Sequence, residues 1–161
     1  MKFKKKMLLI VFILILVMMV ILPANGSDLS TIILSKGQSV YVPVYSHIYH
    51  GDKEKPFNLA ATLSIRNTDP NKEITVISAD YFDSNGDLIK NYITKPIELK
   101  KLATVRFVIK NSDKTGGSGA KFIVRWISKE LVNTPLIEAI MISTESGQGV
   151  SFLSRGKAIK E

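Results

Sequence analysis

Phe57-Asn58-Leu59-Ala60-Ala61-Thr62-Leu63-Ser64-Ile65-Arg66 decides the fold class. Phe57, Leu59, Ala61, Leu63 and Ile65 alternate with Asn58, Ala60, Thr62, Ser64 and Arg66. Successive side chains of a β-strand point to opposite faces, so this alternation buries one face and leaves the other mostly wet.

Downstream, Asn67-Thr68-Asp69-Pro70-Asn71 signals a turn, and the β-rich run Ile74–Phe82 follows at once. Asn85-Gly86 predicts a tight type I′ hairpin into a strand over Leu88–Ile93. The alternation returns over Ala103–Lys110 and Lys121–Ile127, on either side of the glycine- and serine-rich loop Asn111–Ala120, and Leu136–Ser143 and Gly149–Ser154 supply two more strands.

Upstream, Lys36-Gly37-Gln38 reads as a turn before a strand over Ser39–Tyr45, where Val40, Val42 and Val44 alternate with Ser39, Tyr41 and Pro43. Proline has no amide hydrogen to give a ladder, so that strand is expected at an edge or with a bulge. Residues 27–36 read as a tether or an edge segment, and 157–161 as a C-terminal tail. After Leu22 no stretch keeps a helical period. The expectation is therefore one all-β domain over residues 37–156, an antiparallel β-sandwich of immunoglobulin-like topology with Trp126 as its core plug.

The N-terminus has a different composition. Lys2, Lys4, Lys5 and Lys6 precede an unbroken apolar run from Met7 to Leu22, and Ala24 and Gly26 place small residues for cleavage before Ser27. Residues 1–26 thus read as a secretory signal peptide, or as a signal anchor holding the membrane through residues 7–22 if it is uncleaved. Either way the lysines stay in the cytoplasm, and the domain is expected outside it, in the periplasm or at the cell surface, secreted or anchored to the inner membrane.

The 161 residues carry a net charge of +8, with 22 basic residues against 14 acidic ones. Four of the basic residues precede Met7, leaving 18 against 14 and a net charge of +4 for the remainder, so nucleic acid is not an expected partner. With no cysteine, thiol nucleophiles and thiolate metal sites are excluded, as is a lipid attached through cysteine. The domain must be held by its core.

Four candidate clusters of functional residues emerge. His47 and His50 with Asp52 could ligate zinc or copper if a loop gathered them; two hydrogen-bonded histidines in a strand-to-loop segment are the plain alternative. Gly116, Gly117, Ser118 and Gly119, between Lys114 and Lys121, could cradle an anion with backbone amides or simply connect two strands. Arg66, Arg106 and Arg125 fall on the polar parity of their strands and would form an anion-binding stripe if those strands are neighbours. Asp83-Ser84-Asn85-Gly86-Asp87 begins like a calcium loop but has Leu88 and Thr94 where glycine and glutamate are needed, so a hairpin turn accounts for it.

No Gly-x-Ser-x-Gly frame or other nucleophile arrangement stands out, and no cofactor is implied.

Several stretches together resemble the bacterial family called domain of unknown function 3124. They are Val40–Tyr49, Leu63–Asp69, Ser112–Lys114 with Gly116–Ala120, and Phe122–Trp126, in order and at compatible spacing. The resemblance implies one domain over most of the chain and brings no catalytic residues with it. The expected function is that of a non-catalytic envelope module binding a protein or glycan partner; the alternative is a periplasmic metal-binding protein using His47, His50 and Asp52.

Overall fold

The computed structural model describes residues 32–144, 147 and 149–160; the N-terminal segment 1–26 and residues 27–31 of the tether lie outside them. In chain order the strands are β1 (Leu34–Pro43), β2 (His47–His50), β3 (Lys55–Asn58), β4 (Ala60–Arg66), β5 (Ile74–Phe82) and β6 (Leu88–Asn91). They continue as β7 (Ile97–Leu99), β8 (Thr104–Ile109), β9 (Lys121–Asn133), β10 (Leu136–Ser143), β11 (Val150–Arg155) and β12 (Lys157–Ile159).

All pairings are antiparallel. One sheet runs β12-β1-β9-β5-β6 with β7 also on β5, a second runs β11-β10-β4-β8, and β2 and β3 make a separate ribbon. The two larger sheets close face to face on one core, so the fold is the expected antiparallel sandwich. β4 pairs with β8 and β5 with β9, as the B–E and C–F strands of an immunoglobulin sandwich do. The first strand, β1, sits beside β9, and β10 sits beside β4, so these two flanking strands trade places relative to that scheme.

The period-two stretch is buried on its predicted face along its whole length: Phe57 is 8% exposed, Ala61 1%, and Leu59, Leu63 and Ile65 0%. It is nonetheless divided at Leu59, because the first part pairs with β2 and the second with β8 and β10. Facing it from the other sheet are Val40 and Val42 of β1, Val76, Ala79 and Tyr81 of β5, and Phe122, Val124 and Trp126 of β9. Tyr92 joins the layers, its ring 5.4 Å from Phe122 in one sheet and 5.6 Å from Phe107 in the other.

Three local expectations change and one holds. Lys36-Gly37-Gln38 is no turn but runs on within β1: Ser35 faces Val132 while Gly37 faces Ile127, so the irregularity lies in β9, where Ser128–Leu131 bow out opposite Lys36. Pro43 keeps to its expectation locally: β1 lies between β9 and β12 and its pairing carries that irregularity, but β12 covers β1 only over Ser39–Tyr41, so the strand has an edge at the proline. Asn85-Gly86 forms a three-residue hairpin loop instead of a type I′ turn. Gly86 N–H donates to the Asp83 carbonyl at 3.2 Å and Gly86 has φ 97°, whereas Asn85 is not left-handed. Residues 157–159 of the expected tail form β12 on β1.

Adjacent strands alternate in direction, so the connections gather at two ends. The far end carries the β2–β3 ribbon, the β5–β6 hairpin and the β8–β9 loop; the near end carries the entry at Ile32 and the β4–β5, β7–β8 and β9–β10 connections.

Candidate functional site

The glycine loop lies at the far end and is clamped on three sides. Ser84 Oγ donates to the Gly116 carbonyl at 3.1 Å and accepts the Gly119 N–H at 2.9 Å. The Gly117 N–H donates to the Lys114 carbonyl, while Ser46 donates both its N–H and its hydroxyl to the Gly117 carbonyl. Lys121 Nζ donates to the Asp83 carbonyl. The amides of Gly117 and Gly119 are therefore taken by the protein itself, and Ser118 is held half-buried between them. Gly116 is required for space: a Cβ there would lie 1.9 Å from Tyr81 Oη. Burial first, then the Asp113 carboxylate, pushes the Tyr81 phenol well above its ordinary range.

Strand alternation separates the histidines. They stand three residues apart on β2, an odd interval, so they point to opposite faces of the ribbon. His47 has Ser46 Oγ 3.2 Å from Nδ1 and Tyr49 Oη 3.1 Å from Nε2, and His50 packs edge-on against Phe57. Asp52 is exposed in the following turn. Among the described residues no group of three His, Cys, Asp or Glu side chains is placed to hold a metal. The ligand set proposed from sequence is thus not assembled.

The three arginines divide between the sheets. Arg125, on the outer face of the larger sheet, makes an ion pair with Asp80 at 2.8 Å, and Asp80 accepts a hydrogen bond from Asn91 Nδ2 at 2.8 Å. Arg66 and Arg106 share the outer face of the four-stranded sheet, so no single stripe of three forms. A different set forms there instead. Arg155, Glu138, Ser64 and Arg106 are directly opposed across β11, β10, β4 and β8, making one row. Arg66 joins it through Nε, 3.1 Å from Ser64 Oγ and 3.8 Å from Glu138. Two residues along, Leu153, Ile140, Thr62 and Val108 form a parallel row, of which Leu153 is 54% and Val108 53% exposed. The sequence reading missed Arg155 because it ended that strand at Ser154.

At the near end, Asn67 and Asp69 form a buried hub, 2% and 7% exposed. Asn67 Nδ2 donates to the carbonyls of Lys72, Leu99 and Lys100, and its backbone N–H donates to the Ala103 carbonyl. Asp69 Oδ1 accepts the N–H groups of Asn71 and Lys72, and Oδ2 accepts that of Asn133 at 3.0 Å. The bonds from Asn71 and Asn133 lead in holding this carboxyl below its ordinary value, against the opposing effect of burial. Asn67-Thr68-Asp69-Pro70-Asn71 signals a turn in the sequence, but nothing local shows that it also fastens the β7–β8 and β9–β10 connections.

Two comparisons with known proteins give matches. A family model described as "Protein of unknown function (DUF3124)" matches residues 37–159. The crystal structure of Thermotoga maritima 1070 is similar at 7% identity and a TM-score of 0.46, over 74% of this chain and 92% of that one. No curated protein matches.

Proposed function

Since the chain belongs to the DUF3124 family, whose description assigns no activity, we propose from its own surface that it is a non-catalytic, extracytoplasmic binding module for an acidic protein. The partner docks on the outer face of the four-stranded sheet. The observation that carries this is the pair of adjacent rows on that face. Arg66, Arg106 and Arg155 stand around one acid, Glu138, which is itself largely covered. Beside them Val108 and Leu153 offer apolar area about half exposed to water. Guanidinium forks recognise carboxylates in pairs, and an apolar strip next to them favours a protein over a simple polyanion. With strands about 4.8 Å apart, Arg106 and Arg155 are spaced by roughly 14 Å, wide enough to engage separate carboxylates.

Placement outside the cytoplasm is supported by the order of features at the N-terminus: lysines, the apolar run Met7–Leu22, then Ala24 and Gly26. The test is a photo-crosslinking amino acid at Val108 in the full chain in its own cells, with the same group at Ile127 on the opposite sheet as control. A discrete adduct at Val108 alone, lost on Arg106→Glu with Arg155→Glu, is expected. Equal adducts at both positions, or an adduct indifferent to the arginine changes, would overturn the reading. An adduct that resists protease but not glycosidase would redirect it to an anionic glycan.

A further inference from the structure

Leu102 is 65% exposed and held at φ 57°, a left-handed conformation that a leucine adopts at a cost. Two bonds fix the loop: the Leu102 N–H donates to the Asp69 carbonyl at 3.2 Å, and the Ala103 N–H to that of Lys100 at 3.1 Å. It is one of several apolar side chains presented at the near end. Leu131, on the segment that bows out of β9, is 52% exposed, and its carbonyl accepts a hydrogen bond from Lys72 Nζ at 3.1 Å. Ile32, Ile33 and Leu34, where the chain enters, are 77%, 62% and 50% exposed, and the Ile33 carbonyl accepts the Thr134 N–H. Lys36, Lys100, Lys101 and Lys129 are carried on the same segments, and the exposed acid beside Leu131, Glu130, is ion-paired with Lys72 at 2.8 Å.

Asp69 and Asn67 tie two of these segments together, because they bond Lys100, Leu102 and Ala103 in one and Asn133 at the end of the other. Pairing of Leu34 with Asn133 adds the third, the entry. The tips are thereby held as one surface in which leucines and isoleucines are interspersed with lysines. A protein partner would be one way to cover it; what precedes Ile32 argues for another. The run Met7–Leu22 ends nine residues before Ile32. Whatever its conformation, such a connection reaches at most about 30 Å, roughly the length of β1. When the run stays in the bilayer, the near end is confined at the lipid surface at high effective concentration.

We infer that the near end of the sandwich, through Leu102, Leu131, Ile32 and Ile33 with Lys100, Lys101 and Lys129, seats on the anionic lipid surface that holds the N-terminal segment. Apolar tips enter the headgroup boundary and the lysines meet lipid phosphates. The four-stranded sheet then faces sideways and the glycine loop points away from the membrane. The inference rests on the extracytoplasmic reading, with the N-terminal segment retained.

The absence of cysteine makes the test direct. Leu102→Cys, Leu131→Cys and, at the far end, Lys114→Cys each take a polarity-sensitive fluorophore on the full chain, reconstituted in vesicles of equal parts phosphatidylcholine and phosphatidylglycerol. Labels at residues 102 and 131 are expected to shift to the blue and to be quenched by brominated lipid, while the label at 114 stays in water. Leu102→Asn, which suits the left-handed backbone, is expected to weaken quenching at 131 on the order of tenfold without loosening the fold. Labels at 102 and 131 as wet as that at 114 would overturn the seating.

In cells, a membrane-impermeant thiol reagent separates the two readings. Reaction at 114 with protection at 102 supports both. Equal reaction at both sites refutes the seating alone. No external reaction at 114 refutes the placement outside the cytoplasm and the seating with it.

Discussion

Asn133 donates its backbone N–H to Asp69 Oδ2 at 3.0 Å, joining the end of β9 to the turn after β4 across 64 residues of sequence. The same carboxylate accepts the N–H groups of Asn71 and Lys72. It is thus the acceptor on which two connections of the sandwich depend.

Asp69→Asn keeps the size of the side chain but turns one acceptor into a donor facing an N–H. The urea midpoint at neutral pH is expected to fall. The pH dependence should change as well. The folded carboxyl titrates below the ordinary value of 3.8, so its contribution is complete above that value and is lost as pH falls through the folded pKa. Asp83 and Glu130 are also lowered and act with the same sign. The acid limb of stability should flatten in the variant without vanishing, and unchanged urea midpoints from neutral pH to pH 3 would contradict the role of the hub.

Gly116→Ala forces a Cβ against the Tyr81 hydroxyl, with Tyr81 Cζ and Ala120 Cβ next in line at 2.6 and 2.7 Å. Overpacking of this kind costs about 1–3 kcal/mol. Tyr81 Oη is buried and has no hydrogen-bond partner among the described residues, so Tyr81→Phe alone should cost little. The double variant should recover part of the loss, and a double-mutant cycle from denaturant unfolding measures the coupling. Strict additivity would mean that the loop relaxes elsewhere.

Trp126, 1% exposed, has no hydrogen-bond partner for Nε1 among the described residues. As the single tryptophan of the chain it should emit in the blue and shift to the red on unfolding. Trp126→Ala is expected to cost about 3–5 kcal/mol, and Trp126→Phe much less, since no acceptor is orphaned.

Because His47 and His50 face opposite sides of the ribbon, His47→Ala with His50→Ala should leave zinc and copper binding by the purified protein unchanged. Stoichiometric metal lost in that variant would restore the metal-binding alternative.

The strand pattern was largely legible because burial writes a period of two directly into the sequence, most clearly in Leu59, Ala61, Leu63 and Ile65. β7 has three residues and β2 carries histidines at both ends, so neither shows a period long enough to read. The outer-face row was half legible: Arg66 and Arg106 fell on the right parity, but only strand order places Arg155 with them and sends Arg125 to the other sheet. The hub and the surface it organises depend on bonds spanning 32 to 64 residues, which no local pattern records.

β1 is the first of the described strands to be synthesised, yet its neighbours are β9 and β12, which come late in the chain. Through most of biosynthesis, Ser39-Val40-Tyr41-Val42 therefore has both edges unpaired, a ready template for pairing with another nascent chain. Lys36 and Pro43 stand on either side of it as gatekeepers. A proline at the end of β1, which costs the finished sheet little because β12 does not reach it, is then a safeguard for the interval of synthesis in which the sheet does not yet exist.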